Sequence, residues 1–169
     1  MNAVTVPELV AQFALQPHPE GGYFRETYRD AGRIAKAVLP ERFHGDRRYS
    51  TAIYFLLPEG TKSRLHRIAS DEIWHFYLGD PMTIVQIAPD GAVERIVLGQ
   101  DLRAGQRFQH VVPAGYWFGA YPNPGSRYAF VGCTVAPGFD FADFTIARRA
   151  DLLARYPAAR EAIELLTDP

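Results

Sequence analysis

One stretch gathers most of the side chains able to do chemistry: it runs from Gly60 to Gly79 and holds Arg64, His66, Arg67, Asp71, Glu72, Trp74, His75 and Tyr77. Side chains of an extended segment alternate between faces, so His66 and Ile68 share one face, and Glu72, Trp74, Phe76 and Leu78 share one face of the next segment. A turn at Ala69-Ser70-Asp71 would fold the second segment back and point His66 and Glu72 into the same interior. An imidazole and a carboxylate in apolar surroundings shift each other's pKa, which is the condition for general acid/base catalysis. A carboxylate aimed at such an interior is costly unless paired, so an Arg or His must lie near Glu72.

Around this catalytic pair stand six candidates for ligand contact: Trp74, His75, Phe118, Tyr54, Glu26 and Arg64. Parity turns Trp74 inward, and Phe118 more than Trp117; such aromatics either fill a core or wall a pocket for sugars, bases or flat acids. His75 is one residue out of phase with Glu72 and belongs on the opposite face, unless a bulge or strand twist spoils the count. Arg64 and Arg67 flank His66 and could clamp an anion. For residues 23–29 the face closing the pocket, Phe24-Glu26-Tyr28 or Arg25-Thr27, stays open. Cys133 reads as inert packing in a buried strand, and Gly21-Gly22 as a turn rather than a phosphate loop, since no helix start follows.

The elements that must position these groups are mostly strands. Thr5 as N-cap and Pro7 in the first turn predict a short helix over about residues 5–15. A strand over 23–29 follows, then a long loop from 30 to 48 without periodicity. From Tyr49 the pattern is insistently β, with runs at 51–57, 63–68, 72–78, 82–87, 93–98, 108–112, 116–121 and 128–135. Turn residues such as Pro89-Asp90-Gly91 and Pro122-Asn123-Pro124-Gly125 separate most of them. Residues 139–146 are a further strand candidate, and helical patterns occupy about 150–167. The expectation is an all-β sandwich or barrel over about 22–146 with short helices at both ends, one domain from 1 to 169.

Composition bounds the partners. The chain has 169 residues, of which 47% are hydrophobic and 22% charged, with 18 basic and 19 acidic side chains. A net charge of -1 offers nothing to nucleic acid or anionic lipid, and no apolar run approaches a membrane span. The lone Cys133 and the absence of a signal-like start fit a reducing cytoplasm. A small molecule is the expected ligand.

The same segment resembles the first signature of the cupins, small jelly-roll barrels. Gly60, His66, Glu72 and Gly79 fall on that pattern, while Ile68 takes the place of its second histidine. Gly105 and Pro113-Ala114-Gly115 resemble the second signature, with two residues more between them and Phe118 at the expected histidine. Two of the four usual metal ligands are thus replaced. The strings HPEGGYFRETYR, STAIYFLL, SRLHRIASDEIWHFYLGDP, VVPAGYWFGAYP and TVAPGFDFADFTIA resemble the cupin-5 family, a domain of unknown function. That resemblance implies a jelly-roll fold (double-stranded β-helix) similar to the sugar-nucleotide 3,5-epimerases, a homodimer, and a pocket within the barrel. The expected function is metal-independent acid/base chemistry by His66 and Glu72: isomerisation, epimerisation or a lyase step on a sugar-like or small oxygenated metabolite. The alternatives are a non-catalytic metabolite-binding module, and a metal-dependent dioxygenase or decarboxylase with a divalent ion at His66 and Glu72. No cofactor is expected on the first reading.

Overall fold

The computed structural model describes residues 4–169. Helix α1 (Val6–Phe13) is opened by a capping box in which Thr5 and Glu8 satisfy each other's backbone amides, with Pro7 where a missing N–H costs nothing. Left-handed Ala14 ends it, earlier than the sequence pattern implied. Strands follow at β1 (Gln16–Pro17), β2 (Tyr23–Arg29), β3 (Arg33–Ile34), β4 (Arg47–Arg48), β5 (Thr51–Pro58), β6 (Ser63–Arg67), β7 (Asp71–Gly79) and β8 (Met82–Ile87). They continue with β9 (Val93–Leu98), β10 (Gln109–Val112), β11 (Trp117–Pro122), β12 (Tyr128–Ala136) and β13 (Thr145–Ile146), before α2 (Arg149–Arg155) and α3 (Arg160–Leu166). Two expectations change. The presumed long loop contains the β3–β4 ladder and a 3-10 turn at Lys36–Val38, and the presumed strand over 139–146 is a 3-10 turn, Phe141–Asp143, followed by two-residue β13.

A six-stranded antiparallel sheet, order β1-β2-β5-β12-β7-β10, faces a five-stranded one, order β13-β6-β11-β8-β9, giving a jelly roll. The core between them holds Phe55, Trp74, Phe76, Ile84, Leu98 and Phe118 with their neighbours. Each such side chain, fully buried, contributes about 1.5–3 kcal/mol. α2 and α3 cover the outer face of the smaller sheet, setting Leu152, Ile163 and Leu166 on Leu65, Val85 and Ile87. α1 covers part of the outer face of the larger sheet through Leu9 and Phe13.

Two irregularities decide what faces inward. In β2 the register shifts between Glu26 and Tyr28, leaving Thr27 as the extra residue. Phe24, Glu26 and Arg29 therefore lie opposite the inward-facing Phe55, Ile53 and Thr51, a spacing no regular strand permits. In β7 the register shifts at Tyr77, because Val131 pairs Phe76 while Phe130 pairs Leu78. Leu78, expected inward, is consequently 39% exposed.

Candidate active site

The cavity opens between β2, β5, β6 and the 139–141 segment, with a volume of about 70 Å³. His66, Glu72, His18 and Glu20 supply its titratable groups, Phe24, Phe55, Phe139 and Phe141 its aromatic walls, and Glu26 with Arg29 its mouth. β6 carries His66 inward because Leu65, its neighbour, is taken by the core under α3. β7 carries Glu72 inward in phase with Trp74 and Phe76.

His18 and Glu20 come from the turn between β1 and β2. Its closing bonds, His18 N–H to Gly22 and Gly21 N–H to His18, are both 3.0 Å. Gly21 has φ 115° and approaches the Lys62 carbonyl so closely that a Cβ would lie 2.1 Å from it, so only glycine fits there. The Arg64 amide donates to the Glu20 carbonyl at 2.8 Å, docking the turn onto β6 two residues before His66.

The hydrogen bonds fix the protons. His66 Nδ1 lies 2.8 Å from the Arg64 carbonyl oxygen, which can only accept, so Nδ1 carries the hydrogen and Nε2 the lone pair in the neutral ring. His66 Nε2 is 3.2 Å from Glu20 Oε2. His18 Nδ1 accepts the Glu20 backbone N–H at 3.2 Å and is 3.5 Å from the same Oε2. With both rings neutral, Oε2 faces two unprotonated imidazole nitrogens, and the arrangement is then attractive when Glu20 itself holds a proton. Ser63 Oγ donates to Glu20 Oε1 at 2.7 Å. Burial agrees with this assignment: it pushes the Glu20 carboxyl up and both His66 and His18 down, favouring the neutral form of each. Glu72 is pushed up to about 7 by burial, with the nearby His66 opposing the shift and Glu20 adding to it. The Cys133 thiol lines the same cavity and is held neutral by burial, with Glu72 nearby adding to the shift.

The expected residues divide. His66 and Glu72 meet in the cavity, but the direct partner of the imidazole is Glu20, not Glu72. Glu26 lines the mouth, held to Arg29 at 2.6 and 2.8 Å. Trp74 and Phe118 do not line the cavity; they are buried beneath it, with the Phe118 ring centred 4.1 Å from that of His66. Three candidates are elsewhere. His75 is on the outer face, its Nδ1 accepting from the Gln109 amide at 2.9 Å and its Nε2 3.1 Å from Thr134 Oγ1. Tyr54 is on the outer face of β5, packed against Phe13 and Phe130. Arg64 is spent on the Pro19 and Glu20 carbonyls and on Asp168, clamping the turn instead of reaching a ligand.

The sequence profile described as "Cupin superfamily (DUF985)", cupin-5, matches residues 7–147. The chain belongs to the cupin-5 family of the cupin superfamily. Among solved structures, this cupin is similar to protein SO0799 from Shewanella oneidensis, at 37% identity and TM-score 0.86 over 100% of this chain and 99% of that one. A hypothetical protein from Leishmania major is 32% identical, TM-score 0.89, covering 98% and 100%. The uncharacterized protein YML079W of Saccharomyces cerevisiae is 30% identical across 95% of this chain and 84% of its own.

Two of the four side chains with which the cupin signatures hold a divalent ion are replaced here. Ile68 and Phe118, at the two signature positions that elsewhere hold histidine, are 4% and 1% exposed and belong to the apolar core. Among the described residues no group of three or more His, Cys, Asp or Glu is arranged to hold a metal. His18 and Glu20, which the sequence alone does not mark as site residues, sit in the HPEGG string that reads locally as a turn. The available signal was an imidazole and an acid two residues apart beside paired glycines, but only the return of β2 alongside β5 brings that turn over β6.

Proposed function

We propose that this cupin is a small-molecule enzyme that moves a proton next to a carbonyl group, in an isomerase, epimerase or lyase step on a sugar-like or small oxygenated metabolite. The observation that carries the reading is the convergence of Glu72, His66, Glu20 and His18 on one aromatic-walled cavity. Glu72, titrating at about 7, is matched to a general base at neutral pH. Its carboxylate would take the proton from carbon beside the carbonyl, while the proton shared by Glu20 and His66 Nε2 would be given to the developing enolate oxygen. Delivery of a proton back to carbon on the opposite or neighbouring position completes an epimerisation or isomerisation; departure of a β-substituent instead completes a lyase step. Every group used is a side chain of this protein, and the apolar Ile68 and Phe118 support a metal-independent route.

The test joins ligand-induced thermal shifts, screened over sugar nucleotides, keto acids and nucleotides, with turnover assays on whatever binds. His66→Asn and Glu72→Gln are expected to lose turnover by roughly a hundredfold or more while remaining folded. Turnover retained by both variants would sink the assignment. Binding without turnover of any ligand would favour the non-catalytic metabolite-binding module, and near-stoichiometric iron, manganese, nickel or zinc in protein purified without chelators would favour the metal-dependent route.

The homodimer belongs to the same proposal. The outer face of the larger sheet leaves Tyr77 48% and Val111 44% exposed beside the area covered by α1, and a second copy would bury that strip. Sedimentation at the 19.0 kDa monomer mass would refute it. We also place the protein in the cytoplasm, where the Cys133 thiol stays reduced; among the described residues no helix is long and apolar enough to cross a membrane.

A further inference from the structure

A second, polar cleft of about 220 Å³ adjoins the cavity, with Arg29 and Phe139 as their common wall. Arg33, Arg47, Arg48, Asp46 and Asp140 complete it. Two of its four guanidiniums are already committed, Arg29 to Glu26 and Arg47 to Asp143, each through two bonds. Asp46 and Asp140 accept the backbone amides of Lys36 and Ala142. Arg33 and Arg48 remain. Among the described residues neither forms an ion pair with a carboxylate, and Arg48 reaches only the Ala31 carbonyl.

The β3–β4 ladder sets these two opposite each other, Arg33 in register with Arg48. Like charges directly opposed destabilise a strand pair, and a ladder two residues long has little to offset the repulsion. Asp46 and Asp140 in the same cleft and Asp30 near Arg48 offset part of this repulsion, but among the described residues no carboxylate bridges the two guanidiniums. An oxyanion between them would, because guanidinium forks match carboxylate and phosphoryl oxygens bidentately. The position of the cleft points the same way: it meets the cavity at Arg29 and Phe139, so a molecule seated in the cavity can extend into it.

We propose that this cleft seats the anionic group, phosphoryl or carboxylate, of the same molecule whose carbonyl-bearing part enters the cavity, with Arg33 and Arg48 as its binding residues. The link to a reacting molecule rests on the proton-transfer reading; the anion site itself rests on the two arginines. Calorimetric titration of the full chain at low ionic strength, with inorganic phosphate and separately with citrate, tests it. Saturable binding of at least one anion is expected, weakened roughly tenfold or more in R33Q/R48Q. The stronger responder identifies the group, phosphate for a phosphoryl tail and citrate for a carboxylate. The single variant R33Q, which removes an exposed side chain, is expected to lose a smaller share and guards against a folding fault in the double variant. His66→Asn is expected to bind the anion like the wild type even though it fails in catalysis, which separates this proposal from the reading of the cavity. Absence of saturable binding, unchanged binding in folded R33Q/R48Q, or loss of binding in His66→Asn would each overturn the proposal.

Discussion

The interior of the sandwich has two flanks, and both carry a histidine and an acid. In register across the smaller sheet stand His66, Phe118, Gln86 and Glu94; across the larger stand Glu26, Ile53, Cys133, Trp74 and His110. On one flank His66 meets Glu20 beside an open cavity. On the other, His110 Nε2 is 3.0 Å from Gln86 Oε1, and the Gln86 amide donates to Glu94 at 2.8 Å. A neutral amide thus separates imidazole from acid there, and Glu94 reaches solvent. The same residue types are in one case pushed toward shared protons and in the other simply satisfied. Between the flanks Trp74 and Phe118 cross edge to face, 6.4 Å apart. The lesson is that an imidazole near a carboxylate is not by itself a site; exclusion of water without a neutral spacer makes it one. Phe118, in the position of a cupin ligand, belongs to that dividing wall.

Breaking the wall should have the largest effect. Phe118→Ala is expected to cost about 3–5 kcal/mol in urea denaturation and to let water reach His66, moving its titration, followed by NMR, back up toward the ordinary imidazole value. Destabilisation with an unmoved His66 would mean that Phe118 packs without partitioning. Next comes the acid. Glu72 titrates at about 7 in the fold against an ordinary 4.5, so the folded state holds its proton more tightly. The stability this contributes is whole below pH 4.5 and is lost as pH rises to about 7. Relative to wild type, Glu72→Gln should therefore gain stability over that window, by roughly 3 kcal/mol across it; parallel pH–stability curves for the two proteins would contradict the burial argument. The smallest effect belongs to the satisfied flank. Gln86→Ala should cost about 1–3 kcal/mol by stranding His110, while the thermal shift given by a cavity ligand stays unchanged.

Much of this was legible in sequence because it is local. Alternation along 63–67 and 71–76 sends His66 and Glu72 inward and His75 outward, and turn residues mark nearly every strand end. What escaped is what local patterns do not encode. Bulges at Thr27 and Tyr77 change parity midway through a strand, so alternation does not show Arg29 turning inward beside the candidate Glu26 and sets Leu78 on the wrong face. Tyr54 and Arg64 were drawn toward the ligand because an aromatic and a cation near a site look alike whichever way they point. Glu20 reaches His66 only through a contact between residues 46 positions apart, fixed by sheet order rather than by the turn that carries it.

The clamp at Arg64 extends further than the turn it holds. Lys62 donates to the carbonyls of Leu165 and Thr167 at 3.1 and 3.0 Å, and Arg64 also meets Asp168. Residues 165–168 are thereby moored beside the turn that carries Glu20 to His66. Displacing that segment would pull on the turn that carries His18 and Glu20, and through it on the cavity.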